Sequence, residues 1–320
     1  MYATLLSLPS PIEQISVDGR SFYLKRDDLT HPDFSGNKAR KFYYYLSHDF
    51  PQVKKIVSHG SNQSNAMYSL SVLAKLKGWE FEYFVNHIPD YLRENPQGNY
   101  RKALENGMRI SEQKSRHPEL DPGSKHDDQF YQWILNQVQD DKRILFIEEG
   151  GRQKEAEVGI RILADEIINW QKEQGIEKLN IFLPSGTGTT ALFLQKSFST
   201  LNDQRSLETK VFTTPCVGDA SYLKKQFFML EGNEAYHPTI LDTEKKYHFG
   251  KLYKDFYKIW LKLRQQTGVE FDLLYDPKGW MTVMAYPEIF SQPTLYIHQG
   301  GLAGNESMLP RYERKYKDVM

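Results

Sequence analysis

The sequence predicts an α/β protein of open, twisted sheets with flanking helices. Three observations carry that expectation. Short apolar runs of strand length alternate with stretches of helical periodicity, the pattern of sheets covered by helices. Glycine-rich punctuation falls where strand-like runs give way to helical ones. The 320 residues, 39% hydrophobic and 13% aromatic, are enough for two domains with sizeable cores and indicate a globular chain.

In chain order, FYLKRDDL (22–29) is a strand ending in a charged turn. Ala39, Phe42, Tyr43 and Leu46 then fall at i, i+3, i+4 and i+7, one face of a helix. KKIVSHG (54–60) is a strand, and SNQSN (61–65) a polar turn rich in N-capping residues. Ala66, Leu70, Leu73 and Ala74 mark a helix that stops at Gly78. EFEYFVN (80–86) and RILFIEEGG (143–151) are further strands, the latter closing on two glycines. Residues 111–129 carry the most loop-like composition and read as a surface insertion. Residues 176–198, IEKLNIFLPSGTGTTALFLQKSF, give strand, Gly-rich turn and helix.

Composition excludes several functions. Forty-one basic residues balance forty-one acidic ones, so no global field draws the chain to nucleic acid or an anionic membrane. Cys216 is the single cysteine, which rules out an internal disulfide, suits a reducing compartment and reads as a small core residue. No early cation precedes the short N-terminal apolar stretch, so a signal peptide is not expected, and no apolar run reaches membrane-spanning length. The expectation is a cytoplasmic protein with neither nucleic-acid nor membrane partners.

Two stretches carry chemistry. FSGNKARKFYYYL (34–46) sets Lys38 behind a tight turn, which describes either a solvated lysine at a helix start or a buried amine able to bond a carbonyl. SGTGTT (185–190) sits between a strand and a helix. Its glycines let backbone N–H groups converge, and the helix N-terminus adds partial positive charge, making an anion site suited to phosphate. It is not a P-loop, because Thr189-Thr190 stand where Lys-Ser/Thr is required, and it lacks the third glycine of the dinucleotide fingerprint.

Together these stretches resemble a known family. LKRDDL followed by SGNKARKFYYYL resembles the lysine motif of the pyridoxal-phosphate enzymes with the tryptophan synthase β-subunit fold. Within them it is most similar to the group of 1-aminocyclopropane-1-carboxylate (ACC) deaminase and D-cysteine desulfhydrase. SHGSNQSNAMYSLSVLAKLKG (58–78), IEEGGRQKEAEVG, LPSGTGTTA, YDPKGWMTVM and LYIHQGGLAG resemble that group's further motifs, in the same order from about residue 22 to 304.

The resemblance implies a pyridoxal 5′-phosphate cofactor in Schiff-base linkage to Lys38, which would also move protons once substrate frees it. It implies Gly186, Thr187, Gly188, Thr189 and Lys41 as phosphate ligands, and Asn65 as donor to the cofactor's 3′-oxygen. Ser64 would receive the substrate carboxylate or assist proton transfer, with Asn62 and Gln63 lining the pocket. Tyr275 would face the substrate and Asp276 the pyridine nitrogen. The group's architecture implies a large domain of residues 1–48 plus 152–320, a small domain of 49–151, a cleft between them, and a homodimer. The activity implied is release of ammonia and a 2-oxo acid from a small amino acid, by an ACC deaminase-like or desulfhydrase-like route. The alternative is a relative that binds the cofactor or an amino acid with little turnover. Nucleotide or sugar-phosphate binding at 185–190 would leave the Lys38 motif unexplained.

Three positions depart from the group's pattern. Phe249 stands where a second active-site tyrosine is expected, with Tyr247 two residues away as a substitute. Pro277 replaces a glycine. Gln299 occupies a substrate-facing position where deaminases usually carry leucine and desulfhydrases threonine.

Other conspicuous residues have plainer readings. Asp27-Asp28 is a capped, ion-paired turn before it is an acid/base pair. His59 and His298 lack metal-ligand spacing partners, and no metal is expected. His117 and His126 fall in the expected loop. Tyr43, Tyr44 and Tyr45 read as helix packing, and Arg311, Arg314 and Lys315 as a solvated tail helix.

Overall fold

The computed structural model describes residues 2–34, 36–112, 125–138, 141–202 and 207–319. Strands β1 (Ile12–Val17) and β2 (Arg20–Arg26) form an antiparallel hairpin. Its two-residue loop is Asp18-Gly19, both at positive φ (50° and 74°), as the twist of a tight hairpin requires. Four parallel strands follow within residues 55–147: β3 (Lys55–His59), β4 (Glu80–Val85), β5 (Arg109–Glu112) and β6 (Ile144–Ile147). They pair in the order β5-β4-β3-β6. The remaining strands are β7 (Lys178–Ser185), β8 (Glu208–Pro215), β9 (Thr239–Ile240) and β10 (Thr294–His298). These join the hairpin in a six-stranded sheet ordered β1-β2-β10-β7-β8-β9, parallel apart from β1.

The two sheets have separate apolar cores. Phe81, Tyr83, Leu70 and Leu73 fill one side of the smaller sheet, and Ile181, Leu183, Ile160 and Ile167 fill one side of the larger. β7 is buried along all but its first residue, as a central parallel strand covered on both faces must be.

The helix expected after Lys38 is broken. One segment spans Gly36–Lys41 and a second Tyr43–Ser47, with Phe42 between them at φ −96°, ψ 6°. The periodicity is kept across the break: Ala39, Phe42 and Leu46 are all buried. Phe42 stacks on Phe34, and a β-carbon on Gly151 would lie 2.7 Å from its ring. The first segment lies against the helix Ala156–Glu173 at Gly159, where a β-carbon would come 2.0 Å from the Arg40 carbonyl oxygen. The helix after the SNQSN turn behaves as its caps predict. Ser64 Oγ accepts from Ala66 N at 3.1 Å, and the helix Asn65–Lys77 stops at Gly78 in the left-handed region.

The expected 111–129 insertion is corrected at both ends. β5 takes in residues 111 and 112, where its edge pairing with β4 overrides a polar composition, and a helix begins at Lys125 and runs to Val138. Residues 113–124, with His117, lie outside the described residues, and His126 falls in that helix rather than in a loop.

Asp27 is structural. Its carboxylate takes a 2.8 Å bond from Arg40 Nη2 and a 2.6 Å bond from Ser10 Oγ. Arg40 also pairs with Glu166 at 2.6 Å, and Glu166 with Lys25 at 2.6 Å. Burial opposes the charge on Asp27, but the Arg40 guanidinium outweighs it and holds the carboxyl below its ordinary range. Asp28 pairs with Arg26 at 2.8 Å. This buried network ties the helix that carries Lys38 to the helix Ala156–Glu173.

Candidate active site

β3, β7 and β10 end at the same opening between the sheets, where carboxyl ends of parallel strands leave room for a ligand. The cleft there has a volume of about 890 Å³. It is lined by Lys38, Lys41, Asn62, Gln63, Ser64 and Asn65 from the first half of the chain. From the second half come Gly186, Thr187, Gly188 and Thr189, and then Phe249, Tyr275 and Gln299. Of the residues to which the resemblance gives a role at the cofactor or substrate, only Asp276 is missing from that wall.

Lys38 is half-buried, and its Nζ donates to Asn37 Oδ1 at 3.2 Å. Desolvation brings its ammonium down to about 8. Lys41, one turn on, is 3% exposed and donates to the Gly150 carbonyl at 3.0 Å. Burial, and then the charges of Lys38 and Arg152, press the Lys41 ammonium well below its ordinary value. Among the described residues neither lysine has a carboxylate within salt-bridge distance. Two amines held this way favour an anion between them.

The Gly-rich turn faces them. Gly188 has φ 72°, and a β-carbon there would lie 2.4 Å from Phe227 and 2.6 Å from Leu223, so only glycine fits. Thr187 and Thr189 share a 3.1 Å hydroxyl contact at the start of the helix Thr189–Asn202. Backbone amides, two hydroxyls and the Lys41 ammonium thus converge on one end of the cleft.

On the opposite wall, Asn65 Oδ1 accepts from Asn99 Nδ2 at 2.7 Å, which leaves the Asn65 amide N–H groups as the donors available to a ligand. Asn99 also donates to the Gln63 carbonyl at 2.9 Å. Sequence reasoning missed this buried support, because a lone asparagine inside a helix carries no motif. Asn62 donates to the His87 carbonyl at 2.8 Å and Gln63 to the Gln97 carbonyl at 3.1 Å, so both side chains also hold the turn that carries Ser64.

Three expectations change. Asp276 is buried behind the cleft, accepting from Tyr296 Oη at 2.7 Å and from Asp272 N at 3.1 Å. Burial, and then the Asp272 charge, push its carboxyl well above the ordinary range. It is Asp272 that lines the cleft, and its carboxylate accepts from the backbone N–H of Leu274, Tyr275 and Asp276, which fixes Tyr275. Asp276 is the first residue of the helix Asp276–Ala285, and Tyr296 on β10 holds its side chain. Pro277 sits in the helix's first turn, where its missing N–H has no intrahelical acceptor to lose.

Tyr247 does not replace the missing phenol, because its ring is packed between Tyr253 and Phe256 in the core. Phe249 does reach the cleft, 5.1 Å from the Tyr275 ring, and Tyr222 is a cleft phenol that the motifs did not flag. Gln299 has both ends of its carboxamide engaged within the protein. Burial, and then neighbouring Cys216 and Asp272, raise the Tyr275 phenol, so it is a neutral donor at physiological pH.

His298 is fully buried, its Nε2 2.7 Å from the Glu270 carbonyl. Arg311 and Arg314 are exposed as a tail helix implies, yet both reach the cleft mouth. No helix among the described residues is long and apolar enough to cross a membrane.

No family model matches the chain, and no curated protein sequence does. Solved structures do. An ACC deaminase homologue superposes with a TM-score of 0.76 at 20% identity, over 99% of this chain and 95% of that one. A hydrogen sulfide-producing enzyme from Fusobacterium nucleatum gives 0.64 at 12% identity, over 95% and 98%. A pyridoxal 5′-phosphate-dependent aspartate racemase gives 0.60 at 12% identity, over 91% and 90%. The chain has the fold these proteins share, in agreement with the α/β architecture its motifs imply.

Proposed function

We propose that the chain is a pyridoxal-phosphate-dependent enzyme that releases ammonia and a 2-oxo acid from a small amino acid, in the manner of ACC deaminases or D-cysteine desulfhydrases. The observation that carries the reading is the pair of cleft lysines: Lys38 with its ammonium near 8, and Lys41 buried, with no carboxylate in salt-bridge distance among the described residues, beside a turn in which Gly188 admits no side chain. A phosphate supplies the anion this end lacks, and an aldehyde suits an amine that loses its proton near neutrality.

When bound, pyridoxal phosphate supplies the electron sink for the electron pair released at the substrate. The protein does the rest. Lys41, Thr187, Thr189 and the turn's amides hold the phosphate, and Asn65, set by Asn99, donates from the side wall. With a value of about 8, roughly a tenth of Lys38 amines are neutral at pH 7, so Nζ can both accept and return a proton. Tyr275 stays protonated and is available as a donor facing the substrate. The amino end of the helix Asn65–Lys77, capped by Ser64, suits a substrate carboxylate.

Purified protein loaded with pyridoxal phosphate should show a visible absorbance band and should release 2-oxo acid from one or more of ACC, D-cysteine, L-cysteine and D-serine, with sulfide as well from a cysteine. Lys38→Ala should lose both. A band without release above free cofactor would favour the binding-only reading, which Phe249 in place of a phenol supports. No band would defeat the enzyme reading and leave, of the alternative, only amino-acid binding.

A further inference from the structure

We propose that Gln299 is a positioning residue for Lys38, and not a reader of the substrate, because it locks the Asn37 carboxamide in the orientation that receives the lysine amine. Three bonds in series carry this. Gln299 Nε2 donates to the Pro184 carbonyl at 2.6 Å, at the end of β7. Asn37 Nδ2 donates to Gln299 Oε1 at 2.8 Å, and Lys38 Nζ donates to Asn37 Oδ1 at 3.2 Å. A fourth bond, Asn37 N to the Gln299 carbonyl at 3.1 Å, fixes the two backbones together. That approach requires Gly36, where a β-carbon would lie 1.7 Å from the Gln299 oxygen.

An amide side chain has a donor end and an acceptor end, and Gln299 uses each in a different direction. Flipping it would set its oxygen against the Pro184 carbonyl and its NH₂ against Asn37 Nδ2. The orientation is therefore determined, and through it that of Asn37. The free amine gains a defined seat in the cleft, whose lining also holds the titratable groups of Lys41 from its own helix and of Glu149, Asp272 and Tyr275 from other elements. A leucine or threonine at 299 could not act through this chain. The inference concerns the lysine that the proposed function uses, but it is tested without the cofactor.

In cofactor-free protein, lysine amines labelled by reductive ¹³C-methylation are followed by NMR across pH, with Lys38 assigned from Lys38→Arg. Gln299→Leu should lower the Lys38 midpoint by about one unit, because the charged amine loses its acceptor. Asn37→Leu should do the same, and the double variant should add nothing further. Gln299→Met keeps the length of the side chain but removes both amide ends, so it should lower the midpoint as leucine does, and it serves as the readout should the leucine variant fold poorly. An unchanged midpoint in Gln299→Leu, or in Gln299→Met if only that variant folds, overturns the inference. So would additive shifts in the double variant. A protein that never forms a cofactor adduct yet shows the predicted shifts would refute the proposed function and leave this inference standing.

Discussion

At the scale of single residues, the cleft is organised around cations that the fold leaves uncompensated. Lys41 is the clearer case, because a buried amine that meets a carbonyl but, among the described residues, no carboxylate weakens the empty protein. Lys41→Met should therefore stabilise cofactor-free protein by about 1–3 kcal/mol, read as a higher denaturant midpoint. The same change should abolish the stabilisation that wild type gains from inorganic phosphate or pyridoxal phosphate. Stabilisation by phosphate that survives the substitution would show that the anion binds elsewhere. Lys38 and Asn65 were legible from sequence because their motifs are local. The surroundings of Asp276 were not legible, because they depend on Tyr296, a neighbour 20 positions away.

At the scale of elements, the short segment Gly36–Lys41 owes its position to charge as much as to packing. Arg40 is fully buried between Asp27 and Glu166, and it reaches across from the Lys38 helix to the helix Ala156–Glu173. Arg40→Met removes the shared partner of two buried carboxylates and should cost about 3–5 kcal/mol in chemical denaturation. The folded Asp27 lies below its unfolded value near 3.8, so its contribution is present above that pH and is lost on acidification through the lower folded value. A loss under 1 kcal/mol would mean that packing at Gly159 alone holds the segment. Sequence periodicity found the helix Asn65–Lys77 with its cap and its stop, because those signals lie within the element. It could not find the break at Phe42 or the β5 edge, which answer to Gly151 and to pairing with β4. The hairpin β1–β2 was legible but passed unread as a pair, although its Asp18-Gly19 loop is a strong local hairpin signal.

At the scale of the whole molecule, two sheets assembled from interleaved parts of the chain bring Lys38, Asn65, the 186–189 turn and Tyr275 to a single opening. Ordered motifs spread over most of the chain were enough to read that convergence, because three of them directly follow the carboxyl ends of β3, β7 and β10. The supports behind it (Asn99, Asp272 and the Gln299 carboxamide) were not legible, since their meaning lies in partners distant in sequence. The account stands on the Lys38 amine as the point of covalent attachment. The direct test is borohydride reduction of protein incubated with pyridoxal phosphate, followed by peptide mapping over a series of pH values. We expect one adduct per chain, on Lys38, forming faster as pH rises through about 8 and levelling off above it, and absent from Lys38→Ala. Adducts spread over surface lysines, with Lys38 unmodified at every pH, would contradict it.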